Sequence, residues 1–327
     1  MQEELRPIQL MQKNLAPYPE LGARLNSFLS DREGLPSWPE WCLLPMAGWY
    51  AMATEMVSQL PQLMEGRDNP LTIARFCSVL QALGTWRYCQ GVYRFDDTLR
   101  LALMDSPLTG DMPSEVFLRL PEPAIYISTP GEMVGEQSVH GSWVALEYDV
   151  NDGRKELRFL LDTDNGLAPL PLHIGSWSVQ EGLERFLAES TRQTLIHRLP
   201  THHVENKDFF DWLRLLQHLL PLVLYLCSEE PEIDSSIPGK RPAYPKLTHV
   251  KKGWRLFPPT KPVIWDVGLK IGVTLRQDAQ KNKLNTAERH HRAHLRRGHW
   301  HGYWTGQGRT VFIYRWIAPL IAGGKSE

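Results

Sequence analysis

The sequence predicts an α+β protein with a helical N-terminal part, a central antiparallel sheet and a basic C-terminal α/β part that ends in a hairpin. Three observations carry this. Apolar residues recur at helical spacing through residues 1–115. The period then drops to two over residues 116–165. The last sixty residues mix a helical segment with short alternating runs. At 327 residues, with 42% hydrophobic and 22% charged residues, the chain has ordinary globular composition and is long enough to bury a sizeable core.

The elements follow in order. Glu20–Leu29 places Leu21, Leu25, Phe28 and Leu29 on one helical face. Pro36, Pro39 and Pro45 punctuate a Trp-rich stretch. A helix follows through Val57, and another over Leu71–Leu83. Ala124–Ser128 reads as a short strand. Trp143–Asp149 and Glu156–Asp162 flank Asn151-Asp152-Gly153, a hairpin signal because that turn needs positive φ. Leu157, Phe159 and Leu161 share one face of the second strand. Ser178-Val-Gln-Glu181 is a capping box opening a helix to about Leu195. A further helix spans about Lys207–Cys227. Ser228–Pro262 is rich in Pro and charge and reads as a linker. Val267–Arg276 resembles a helix with Gly268 and Gly272 one turn apart, a spacing that permits close packing. His299–Trp304, Gly306-Gln-Gly308 and Val311–Ile317 read as a second hairpin. The divisions are 1–115 helical, 116–230 sheet plus helices, 231–262 linker and 263–327 basic C-terminal part.

The longest apolar run, Leu219–Cys227, is about half the ~20 residues a membrane span needs, and no secretory signal stands at the N-terminus. A cytoplasmic location in a bacterial host and no membrane partner are expected. Cys42, Cys77, Cys89 and Cys227 show no C-x-x-C spacing and read as reduced, buried thiols.

A formal net charge of -1 conceals a strong asymmetry. Residues 246–315 hold 15 Lys and Arg against three carboxylates, Asp266, Asp278 and Glu288, and six histidines besides. Nucleic acid, ribosomal RNA or an acidic protein face would match such a region, as would the acidic remainder of the chain itself. Its densest part is Arg289–Trp304. Arg292, Arg296 and Arg297 are candidates to grip an anionic partner, with Trp300, Tyr303 and Trp304 stacking bases. Alternatively His299 and His301, on one strand face with His294 or His290, could hold zinc in a metal-dependent nuclease. The third reading places the aromatic and His side chains in the sheet face. No nucleophile elbow, phosphate loop or H-E-x-x-H motif is present. His202, His203 and Glu205, and His140, Glu147 and Asp149, form no set above background, and Glu147 is read as pointing to solvent. The chain therefore reads as a non-enzyme with no cofactor.

Several segments resemble, in their order, a family of type V-A anti-CRISPR proteins and their phage and plasmid relatives. They are Trp38-Pro-Glu-Trp-Cys-Leu-Leu-Pro45, Trp86-Arg-Tyr-Cys-Gln-Gly-Val-Tyr-Arg-Phe-Asp96, Leu146-Glu-Tyr-Asp149 with Glu156-Leu-Arg158, Trp265-Asp-Val-Gly268 with Ile271-Gly272, Arg296-Arg-Gly-His-Trp-His301, Tyr303-Trp304 and Arg315-Trp-Ile317. The resemblance spans roughly residues 35–320. It departs at Ala318-Pro319, where Pro-Pro is expected, and at Gly298, where a relative carries Ala. It implies a binding protein that recognises the N-terminal segment of the type V-A effector nuclease during translation and causes loss of its mRNA, with the ribosome or message as further partners. Trp38, Trp41, Trp86, Arg87 and Tyr93 are the candidate peptide contacts, because accessible aromatic and Arg side chains dominate binding energy. A DNA- or RNA-binding regulator of a mobile element is the remaining alternative.

Overall fold

The computed structural model describes residues 5–59, 70–108, 112–179, 181–182, 184–185, 206–251, 253–286 and 294–322. Helices α1 (Arg6–Leu15) and α2 (Leu21–Ser30) each bury one stripe. Ile8, Met11 and Leu15 lie on the first stripe, and Leu21, Leu25 and Leu29 on the second. That spacing is the amphipathic pattern of a helix covering a core. Helices α3 (Met46–Gln59) and α4 (Pro70–Trp86) complete the N-terminal layer.

Strand β1 (Gly91–Phe95) leads into α5 (Asp97–Met104), a 3₁₀ helix at Ser114–Arg119, and four long strands: β2 (Ala124–Val134), β3 (Gln137–Tyr148), β4 (Lys155–Thr163) and β5 (Gly166–Ile174). The expected strand at Ala124–Ser128 is thus the start of a longer one. The hairpin predicted at Asn151-Asp152-Gly153 forms, with Gly153 at φ 74° and Tyr148 opposite Lys155. Ser178 and Glu181 make the reciprocal capping-box bonds: Glu181 N–H donates to Ser178 Oγ at 3.2 Å, and Ser178 N–H to Glu181 Oε2 at 2.7 Å. The helix extending to Leu195 lies outside the described residues, as do His202, His203 and Glu205.

Helix α6 (Asn206–Cys227) precedes β6 (Ile233–Ser235), the β7 (Thr248–Val250) and β8 (Gly253–Arg255) ribbon, and β9 (Val263–Val267). Helix α7 (Leu269–Thr286) follows, then β10 (His294–Arg296), β11 (His299–Thr305), β12 (Val311–Ile317) and β13 (Leu320–Ala322).

The main sheet has seven strands in the order β5-β4-β3-β2-β1-β9-β6. It is mixed. Strands β2 to β5 form the expected antiparallel meander, while β1 runs parallel to both neighbours, β2 and β9. Parallel pairing needs a crossover between the strands. The β1–β2 connection through α5 and the 3₁₀ helix supplies one, and the long path to β9 supplies the other. The Pro-rich stretch contributes strand β6, which pairs with β9 and closes that edge of the sheet.

Both sheet faces are covered. Tyr93, Ile125, Ile127, Val144, Leu146, Leu157, Phe159 and Leu161 pack against α5 and α6. The alternating residues Val92, Ala124, Tyr126, Trp143, Ala145 and Leu160 pack against α1 to α4. The period of two therefore sorts side chains between two cores rather than between core and water.

Candidate functional site

The α4–β1 junction builds a cleft. Trp86 ends α4 fully buried and donates its indole N–H to Gly91 O at 2.9 Å. Its ring meets Trp143 edge-on and Tyr126 at a tilt. Gln90 turns the chain at φ 52°. Its side-chain amide donates to Arg87 O at 3.1 Å and to Pro259 O at 3.3 Å, tying the turn to the Pro-rich segment. Between that segment and the N-terminal helices lies a cleft of ≈ 410 Å³, with Met11, Leu15, Tyr18, Pro258 and Pro259 among its apolar walls and Gln12, Arg87 and Gln90 as polar groups. No carboxylate among the described residues pairs with Arg87. The exposed lining is divided about evenly between polar and apolar groups, and the volume has room for a few side chains of a peptide or for a small molecule.

Behind β1 sits a buried polar group. Tyr93 Oη donates to Glu122 Oε2 at 2.9 Å, and the Trp265 indole N–H approaches the same carboxylate. Burial pushes Glu122 up to about 7, with Tyr93 and Lys240 pulling it back. Gly91 is required here. A Cβ on it would stand 2.1 Å from Glu122 Oε2 and 2.9 Å from the Trp265 indole nitrogen.

A second polar group runs across the meander. Glu147, Glu156 and His173 face one another directly on β3, β4 and β5. Glu147 is 3% exposed, not solvent-facing as expected, because this end of the face lies under the Trp38–Met46 segment. It accepts the Met46 N–H at 2.7 Å at the start of α3, and its Oε2 makes no hydrogen bond among the described residues. Burial lifts its carboxyl to about 8; Arg158 lowers it, and Glu156 and Asp149 raise it further. Glu156 stays ion-paired, with Arg154 at 2.9 Å and with Arg158 and His173 each at 3.4 Å. Like charges opposite one another on a sheet repel, so one carboxyl of the pair holds a proton.

The sequence-selected aromatic residues divide. Trp86 and Tyr93 are fully buried and present no surface to a peptide. Trp38 is half-buried against the second core, with the Arg32 guanidinium 4.1 Å from its ring centre. Trp41 is half-buried and meets Tyr148 edge-on. Arg87 alone of the five lines the cleft. The residues missed were Gln90, Glu122 and the cleft walls. Pro-Glu-Pro around Glu122 carries no periodic signal, and α1 reads only as an amphipathic helix.

In the C-terminal part, Gly268 joins β9 to α7 at φ 73°, and a Cβ there would stand 1.9 Å from Leu99 Cδ2. A Cβ on Gly272 would fall 2.1 Å from Asp96 Oδ1. The close packing expected of these two glycines is therefore against α5 and its cap. Asp96 accepts from Thr98 and Leu99 N–H and from Arg276. Burial raises its carboxyl, but the Arg276 guanidinium and the two amides outweigh this and hold it below the usual carboxylate range.

The hairpin β11–β12 has two unlike faces. Trp300 and Tyr314 are buried beneath it, and Tyr314 Oη donates to Leu224 O at 3.0 Å. Trp300 is thus a core residue and not free to stack on a base. Trp316 donates to Ser106 Oγ at 2.9 Å. A Cβ at Gly298 would crowd both of those groups at 2.8 Å. Trp304 and Tyr303 are exposed. Arg297 is exposed, 3.5 Å from Asp105. Arg292 and His290 lie outside the described residues. His294 and Arg296 sit on β10, paired with β13. His299 and His301 share one face of β11, in a different ribbon from His294. Among the described residues no three His, Cys, Asp or Glu side chains gather to hold a metal, and no helix is long and apolar enough to cross a membrane.

The described residues therefore form a two-core α+β protein built on a mixed seven-stranded sheet. This arrangement matches a solved one: the crystal structure of AcrVA2 has a TM-score of 0.69 and 22% identity, covering 98% of this chain and 100% of that one. Residues 93–324 match the anti-CRISPR type V subtype A2 (AcrVA2-like) family, and the chain belongs to it. Protein FinQ of Escherichia coli is 25% identical over 226 residues, 65% of this chain and 65% of that protein.

Proposed function

We propose that the chain lowers the level of a type V-A CRISPR effector nuclease by binding the nuclease's N-terminal segment as it emerges from the ribosome, after which the message is lost. Family membership supports the target. The observation that carries the binding mode is the ≈ 410 Å³ cleft, whose mixed polar and apolar lining includes an Arg87 with no carboxylate partner among the described residues. Apolar walls take the side chains of an extended peptide, and a guanidinium supplies up to five donors to its carbonyls or to an acidic side chain.

The test is calorimetric titration of the full chain with a synthetic peptide of the effector's N-terminus. Arg87→Ala and Leu15→Gln are expected to weaken binding by about tenfold or more each. In cells the effector mRNA is expected to fall for the native reading frame. It is expected to persist when the first codons are recoded to another peptide. No peptide binding together with unchanged mRNA would overturn the reading.

A further inference from the structure

The outward face of the β11–β12 hairpin is not used by the cleft. The register places His301 opposite Arg315, Tyr303 opposite Ile313, and Thr305 opposite Val311. Directly opposed residues share a face, so these six form one surface, and the row of Trp300, Gly302, Trp304, Phe312, Tyr314 and Trp316 forms the other. In the second row Trp300 and Tyr314 pack on the core, while Trp304 near the tip is exposed. The first faces solvent: His301 and Arg315 are exposed, Tyr303 is 46% exposed and Val311 45%. The rings of His301 and Tyr303 lie 6.0 Å apart at 46°. Gly302 between them belongs to the opposite row, where a Cβ would fall 2.3 Å from the Phe312 ring.

The charge within the hairpin's own segment has one sign. From His294 to Ile317 the chain holds four arginines, three histidines and no carboxylate. The nearest acids reach in from other segments. Glu230 stands 3.7 Å from Arg315, and Asp105 3.5 Å from Arg297. All four side chains are more than half exposed, so these pairs are solvent-screened and exchange readily for other anions.

We infer that this hairpin face is a binding platform for single-stranded RNA, independent of the peptide cleft. Same-face residues on a strand stand about 6.7 Å apart, so His301 and Tyr303 can each take one base. Arg315, Arg309 and Arg297 flank them to meet phosphates. The Tyr303 hydroxyl and the His301 imidazole supply hydrogen-bonding groups beside the rings for a ribose 2′-hydroxyl, and this favours RNA over DNA. A duplex would not be bound this way, since its bases are not free to stack.

The experiment is fluorescence anisotropy of the full chain with a labelled 12-nucleotide oligouridylate, its DNA counterpart, an RNA duplex and a polyglutamate peptide. Binding to the RNA strand is expected to weaken with salt, with a log–log slope of about −0.7 per phosphate engaged. Tyr303→Ala is expected to cost about fivefold or more on both strands, and Tyr303→Phe to keep the stacking but narrow the preference for the RNA strand over its DNA counterpart, with Tm unchanged in both. Arg315→Ala is expected to reduce the salt slope. The inference is overturned by no RNA binding at low salt, by equal affinity in Tyr303→Ala, by tighter binding of the duplex, or by tighter binding of polyglutamate, which would mark an acidic protein as the occupant. Peptide titration of Tyr303→Ala separates this face from the cleft, since that affinity is expected to remain.

Discussion

The Trp38–Phe95 region and the C-terminal hairpin are both rich in rings, yet they use them oppositely. Trp49, Trp86 and Tyr93 are fully enclosed, while Tyr303 and Trp304 are about half exposed. Residue type does not separate the two regions. The number of layers does. Strand β1 lies inside a sheet covered on both faces, so either parity of its side chains meets a core. The hairpin is a two-stranded ribbon whose base is buried at Trp300 and Tyr314 and whose tip, from His301 to Trp304, meets water on both faces. An aromatic residue marks a binding surface only where the architecture leaves a layer off.

That contrast is breakable by substitution. The largest effect is expected from Trp86→Ala, which empties a fully buried site and removes the Gly91 hydrogen bond. A loss of about 3–5 kcal/mol by chemical denaturation is expected. A change below ~1 kcal/mol would show that the N-terminal rings are not structural.

Gly268→Ala comes next, at about 1–3 kcal/mol, because the new Cβ meets Leu99 and the φ is left-handed. Thermal unfolding reads it.

Glu147 tests the buried polar row. Its folded-state carboxyl lies near 8 against an ordinary 4.5. The folded chain therefore holds more protons than the unfolded one across that window, and stability falls as pH rises from about 5 toward 8. Glu147→Gln is expected to flatten this slope. An unchanged slope in denaturant titrations at pH 5, 6.5 and 8 would show that Glu147 is charged when folded.

The smallest effect is expected from Trp304→Ala. Its exposed ring touches Phe312 edge-on, and the cost is about 1 kcal/mol or less. A larger loss would mean that the hairpin tip is core, which would erase the comparison.

Much of the fold was legible from local chemistry. Helical spacing found α2, alternation found β3 and β4, and Asn-Asp-Gly found their turn. Ser178 with Glu181 found the cap, and Gly306-Gln-Gly308 found the second hairpin. Each is a signal contained within a few residues. The parallel placement of β1 was not legible, because its partner β9 lies about 170 residues away and nothing local records it. Among the candidate site residues, Arg87 lines a cleft whose other walls come from α1 and from Pro258-Pro259, segments far apart in the chain. Glu147 looked like a solvent-facing residue of an alternating strand; a helix start packed over it makes it a buried acceptor.

By itself the sequence determined the strongly periodic elements, their turns, the polarised charge and the family, because these rest on short-range backbone preference and on residue order; it read β1 into a helical region and β6 to β8 into a linker. Tertiary structure alone decided which aromatic rings are core, which carboxyls hold a proton at neutral pH, and where the cleft opens. Burial depends on what packs against a residue from elsewhere in the chain, and the same burial sets the exposure of a ring and the charge of a carboxylate.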